Sequence, residues 1–159
     1  VLLTEPIEDM TRSLGFADLL AVQDGAADHV EKLLNTAWGS TDSRRLVVCW
    51  IRMAMLLQDQ SAIDAGLTYG RRIGMEEAKL AAVSDWPTHE LYDAADRASL
   101  QLAEQMVMDV TLVEAADIEA LKTAVGDAAT FNTVAALSVF DQCIRLRIMA
   151  SALVVEVEK

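Results

Sequence analysis

In the stretch LLQDQSAIDAGLTYGRRIGM, residues 56–75, Asp59 and Tyr69 are the side chains that can do chemistry, and Arg52 lies just upstream. A carboxylate gives or takes a proton, a phenol donates a hydrogen bond, and a guanidinium holds a carboxylate. Read as a helix, the stretch places Asp59, Ala62, Ile63, Gly66 and Gly70 in one broad stripe, with Tyr69 at its edge. Arg52 sits about two turns before Asp59 on nearly the same face. The small residues leave two alternatives open. Ala62, Ile63 and Gly66 line a cavity for a small molecule, with Asp59 at its wall and Tyr69 as a donor. Or they let two helices approach closely, with Asp59 at a helix junction as a cap or facing solvent. Arg52 has the same duality. An arginine inside a central helix needs a partner, either a carboxylate of the protein or one on a substrate.

The elements that must position these residues read as helices. Thr4-Glu5-Pro6 starts one whose apolar stripe is Ile7, Met10 and Leu14, ended by Gly15. Phe16, Leu19 and Leu20 continue as a second short helix up to Asp24-Gly25. AADHVEKLLNTAWG puts Val30, Leu33, Leu34, Ala37 and Trp38 on one face, with Gly39 as the stop. STDS offers N-caps for a long helix carrying Leu46, Val47, Trp50, Ile51, Ala54 and Leu57. It is apolar nearly all round, hence central. The stretch around Asp59 follows, directly or after a kink near 58–60, and Gly74 closes it. MEEAKLAAVSDW is a short helix and SDWPTHE a loop. Asp93 caps a helix whose stripe is Ala94, Ala98, Leu102 and Met106, with Ala95 and Leu100 beside it. Another helix runs from Glu114 to Gly126, and a last one from about Asp127 to Val154. There is no strand alternation, repeat or low-complexity linker. The chain therefore reads as a single all-α domain over 1–159, a compact bundle of about seven to nine helices.

The chain has 159 residues, 53% of them hydrophobic, enough for a core. Its 25 acidic residues outweigh 13 basic ones, for a net charge of −12, and that field repels phosphate backbones, so no nucleic-acid partner is expected. The apolar runs LVVCWIRMAMLL and IMASALVV are too short to span a bilayer, and Arg52 interrupts the first. The expectation is a soluble, cytoplasmic chain with no membrane partner. Cys49 and Cys143 have neither metal-like nor redox-like spacing and read as small core residues. His29 and His89 are lone, so no metal site is expected, nor any cofactor. Trp38 and Trp50 read as core, Asp141 and Arg145 as a solvated i,i+4 pair, and Glu104 as a surface residue.

GRRIGMEEAKLAAVSDW followed by LYDAADRASLQLAEQMV resembles the carboxymuconolactone decarboxylase-like superfamily, which includes the alkylhydroperoxidase D proteins. In that family a helix ends in an Ala-rich or Arg-rich stretch and Gly-Leu. An acidic turn, a short helix ending near a Trp, and a helix of the form acidic-Arg-Ala-x-Leu-x-Leu-Ala-Glu follow. Gly74-Met75, Glu76-Glu77, Trp86 and the run from Asp96 to Glu104 fill those places. FDQCIRLRIMASAL is similar, more loosely, to the family's last helix. The resemblance covers roughly 44–153, and the first 40 residues carry no matching motif. It implies an alkylhydroperoxidase D-like bundle, with Trp86 packed under its loop and Arg97 bracing the helix start.

The family's peroxidase branch carries Cys-x-x-Cys-x-x-x-His at a fixed distance before that glycine. Counting back from Gly74 sets those three residues at Asp59, Ala62 and Gly66, so all three are replaced. A related branch has Tyr-Glu where Ser61-Ala62 stand here, and that pair is also absent. Thiol peroxidase chemistry needs a thiolate and a resolving thiol on one helical face, so it is not expected. The resemblance then implies a small-molecule enzyme using non-redox chemistry: a lyase, isomerase or cyclase without a cofactor. Asp59 would be its acid or base, Tyr69 and Arg52 would orient the substrate, and Ala62, Ile63 and Gly66 would contact it. The alternative is a non-catalytic binding or assembly protein with a decayed site. Family members commonly form homo-oligomers, as dimers, trimers or hexamers, with sites near the interface.

Overall fold

A computed structural model of the chain describes residues 14–16, 20 and 25–157, with side chains through Ala152. The expected helix opening at Thr4 and most of the one after Phe16 lie outside the described residues. Among the described residues there are seven α-helices and no strand. They are α1 (Ala26–Trp38), α2 (Ser43–Leu56), α3 (Gln60–Arg72), α4 (Glu77–Ala81), α5 (Ala94–Met108), α6 (Ala115–Val125) and α7 (Asp127–Val157). Short 3-10 turns at Ala82–Asp85 and Val110–Leu112 extend α4 and follow α5.

Local chemistry sets most of the boundaries. Asp42 caps α2 by accepting from the Arg44 amide at 3.0 Å. Asp93 and Asp96 form a reciprocal capping box on α5, and Glu114 and Asp117 do the same on α6. Gly74 and Gly126 take φ values of 75° and 83°, which stop α3 and α6 where the sequence suggests.

α2 is the central helix, packed against α3, α5 and α7, while α1 lies on α7 and α6 on α5 and α7. Residues on every side of α2 are buried, including Leu46, Val47, Cys49, Trp50, Ile51 and Met53. The all-round apolar pattern therefore marks centrality, as expected. The heart of the core is aromatic. Trp38 meets Phe140 at 4.5 Å between ring centroids, Tyr69 at 5.2 Å and Trp50 at 5.7 Å, and Trp50 meets Phe140 edge-on at 5.1 Å. Such tilted and edge contacts suit the ring quadrupoles.

Three details differ from the sequence reading. Leu33 was placed on the buried face of its helix but is half exposed, because α1 packs through Leu34, Ala37 and Trp38. The buried face of α5 is Ala95, Asp96, Ser99, Leu100, Leu102 and Ala103, and Ala94 is exposed. Burial of Asp96, a charged residue, rotates that face away from the purely apolar stripe. Glu104 is no surface residue; it lies between α2 and the loop at Trp86, where two donors hold it.

The α2/α3 contact explains the small residues of α3. A methyl group built on Gly66 would lie 2.7 Å from both Ile51 Cγ1 and Trp50 Cδ1. One on Gly70 would lie 2.7 Å from Leu80 Cδ2 and 3.1 Å from Val47 Cγ1. Helix propensity alone favours alanine over glycine by about 1 kcal/mol. Crowding the Trp50 ring costs about 1–3 kcal/mol. Gly66→Ala is therefore expected to lower the urea midpoint, by about 1 kcal/mol of stability net of the propensity gain. Thr68→Ala, on the exposed side of the same helix, is expected to leave it unchanged or raise it. An increase for Gly66→Ala would show that the contact is looser than these distances.

Candidate functional site

The chain leaves α2 through Leu57, Gln58 and Asp59. Gln58 adopts φ 58°, a left-handed conformation unusual outside glycine, and so separates α2 from α3. The two are distinct helices with a sharp break, which rules out one continuous helix through the stretch.

Asp59 is the N-cap of α3. It is 3% exposed and accepts from the Ala62 amide at 3.1 Å. Arg147 of α7 grips the same carboxylate with both arms. Its Nε donates to Oδ2 at 2.6 Å and its Nη2 donates to Oδ1. This is a bidentate pair between a buried carboxylate and a half-buried guanidinium, the geometry that best satisfies a carboxylate. Burial in turn lowers the Arg147 guanidinium below its ordinary value. Both Asp59 oxygens are thus engaged, and the carboxylate is occupied by the protein itself.

Arg52 faces elsewhere. Its Nε donates to Glu104 Oε1 at 2.5 Å, and the Trp86 indole donates to the same oxygen at 2.7 Å. The partner it needs is a protein carboxylate, one of the two alternatives left open above. Tyr69 is 2% exposed at the far end of α3, edge-on to Trp38. Burial raises its phenol, partly offset by a hydrogen bond with Ser43. Asp59, Arg52 and Tyr69 therefore have three separate sets of partners. Ala62 is fully buried, and its carbonyl accepts from the Trp50 indole at 2.7 Å. Gly66 lies against the same ring, while Ile63 is only partly buried. Along Ala62 and Gly66 the stripe is a packed seam between helices.

Arg147 escaped the sequence reading. Its only signal was a charge inside the apolar run RLRIMASAL. Its acceptor is far away in sequence and on another helix, so no local spacing announces the pair. A second cluster was also missed. Asp96, 4% exposed, accepts from Lys79 Nζ at 2.5 Å, and Arg45 Nε approaches its other oxygen at 3.8 Å. Arg97 does brace its loop, donating to the carbonyls of Trp86, Pro87, His89 and Tyr92.

Cys49 and Cys143 are both buried and unbridged. Burial pushes the Cys143 thiol up to about 11, and burial reinforced by Asp96 raises Cys49 further. His29 contacts the Gly25 carbonyl and His89 accepts from the Leu91 amide. Among the described residues no three His, Cys, Asp or Glu side chains gather as metal ligands would, and no helix is long and apolar enough to cross a membrane. No family model matches the chain, and no curated protein matches it.

The thiols yield a pH prediction. An unfolded thiol ionises near 9.0, whereas native Cys143 holds its proton to about 11. Between those values the native state binds more protons than the unfolded state, so stability falls as pH rises through that window. Denaturation at a series of alkaline pH values is expected to show this fall, reduced in Cys143→Ala. Neither thiol is expected to react with an aromatic disulfide reagent until the chain unfolds. Rapid native-state labelling of either would contradict their burial.

Proposed function

We propose that this chain is a non-catalytic assembly protein built on a carboxymuconolactone decarboxylase-like bundle, in which the position of the family's redox tract has become a structural clamp. The single observation that carries the reading is the Asp59 carboxylate, filled by the Arg147 guanidinium and the Ala62 amide. The packing of Gly66 against Trp50 and Ile51 supports it, because it fills the space a substrate would use. The surface of α7 supports the assembly half. Phe131 and Met149 lie about five turns apart on one face, and they are 75% and 67% exposed. Arg145, between them, is tied to Asp141 at 2.8 Å and to the Val107 carbonyl at 2.9 Å, so the face carries little free charge. A second copy of the chain is the partner proposed for that face.

The rival reading is a cofactor-independent lyase or isomerase with Asp59 as acid or base and Tyr69 and Arg52 orienting a small substrate. It requires Arg147 to leave Asp59 before any proton can move. The two readings separate on one pair of variants. As a clamp, Asp59→Asn leaves a half-buried guanidinium uncompensated, at about 3 kcal/mol, the low end for a broken buried pair. That lowers the melting temperature by roughly 10 °C for a chain of this size. Asp59→Asn/Arg147→Met, which removes both charges, is expected to recover most of the loss. An unchanged melting curve for Asp59→Asn would favour the catalytic reading. By light scattering, the wild-type chain is expected at a multiple of its single-chain mass, reduced in Phe131→Glu and Met149→Glu. A monomer at high concentration would remove the assembly proposal.

A further inference from the structure

The molecule also has a recess that the clamp and the α7 face do not involve. It lies where the start of α2, the turn after α3 and α4 come together, and it encloses about 310 Å³. Its lining is Arg44, Gly74, Met75, Glu76, Lys79 and Leu91. In a chain of net charge −12, this wall offers two cations against one carboxylate. The cations have donors to spare. Arg44 is exposed, and among the described residues its guanidinium makes one long contact, 3.5 Å to the Ile73 carbonyl. Lys79 gives one bond to Asp96, which anchors it from behind, and its remaining N–H groups are uncommitted among the described residues. The Lys79 head also stands 5.3 Å from the centre of the Tyr92 ring, which further fixes its place. Beside these donors, Met75 and Leu91 supply apolar wall.

We infer that this recess binds a small organic acid, its carboxylate held between Arg44 and Lys79 and its short hydrocarbon tail laid on Met75 and Leu91. The volume is at the lower end of the range for small-molecule sites, about 300–1,000 Å³, which suits a short chain. A carboxylate between a guanidinium and an ammonium receives charge-assisted bonds from both. Glu76 is the opposing element. It lines the same recess, is exposed and makes no capping bond to α4, so its negative charge repels an anionic ligand there. The site is independent of Asp59 and of the α7 face, so it stands or falls apart from the assembly reading.

The test is a titration of the full chain with hexanoate, followed by amide chemical shifts. Saturable changes are expected at Gly74, Met75 and Leu91. Arg44→Gln is expected to weaken binding about tenfold, the loss of one charge-assisted bond. Glu76→Gln is expected to tighten it, so neighbouring charges on one wall act with opposite sign. Acetate and inorganic phosphate are expected to bind several-fold more weakly than hexanoate, and hexylamine not at all. Lys79→Gln is less informative because Lys79 also supports Asp96, and Arg44→Gln avoids that difficulty. The inference is overturned by no saturable change up to tens of millimolar hexanoate, or by equal binding of hexylamine. It is equally overturned by phosphate matching hexanoate, by unchanged affinity in Arg44→Gln, or by shifts that map to the Phe131 region.

Discussion

Two charges removed from water must satisfy each other or the structure fails, and Asp59 with Arg147 is where this chain takes that risk. The carboxylate ends the break after α2, caps α3 and receives the guanidinium of α7. One residue thus sets the direction of α3 and fixes the last helix against it. With α3 so aimed, its face of Ala62, Gly66 and Gly70 is laid on α2, where only small residues allow the approach. The Trp50 indole then reaches the Ala62 carbonyl and closes the aromatic core around Trp38 and Phe140.

The same logic recurs at other junctions. Glu104 receives both Arg52 and Trp86, joining the central helix to α5 and the loop before it. Asp96 receives Lys79 and faces Arg45, joining α4, α5 and the start of α2. Arg97 supplies donors to four carbonyls of the loop at 86–92. With only 13 basic residues in an acidic chain, cations spent on buried junctions are few and specifically placed. Breaking one member of such a pair costs more than the pair is worth, since the survivor remains buried.

This arrangement bears on chemistry. A general base needs a carboxylate that a substrate can reach, and an arginine that orients substrate needs a free fork. Asp59 spends that capacity inside the protein, and Arg52 gives its Nε to Glu104. The thiols Cys49 and Cys143 are buried and held protonated, so neither presents a thiolate at neutral pH. Donors with spare capacity lie instead around the recess, at exposed Arg44 and half-buried Lys79, and exposed apolar side chains lie along α7.

The all-α class, the order of the described helices, the caps at Asp42 and Asp93 and the helix start at Glu114 were legible in the sequence, and a cap at Asp59 was one of the alternatives it offered. They depend on neighbours within a turn or two, and local rules act over that range. The small-residue stripe was legible too, but its meaning was not. A glycine that opens a cavity and one that admits a tryptophan look the same until the opposing helix is in place. Arg147 was invisible as a partner because its acceptor is 88 positions away. Glu104 was misread for the same reason, its donors lying on α2 and on the loop at Trp86. Among the described residues, the sequence by itself determined that the segments are helical and where most of them begin, since those energies are local. Only the tertiary structure decided which charge meets which and whether the stripe is hollow or filled, since those depend on residues brought together by packing.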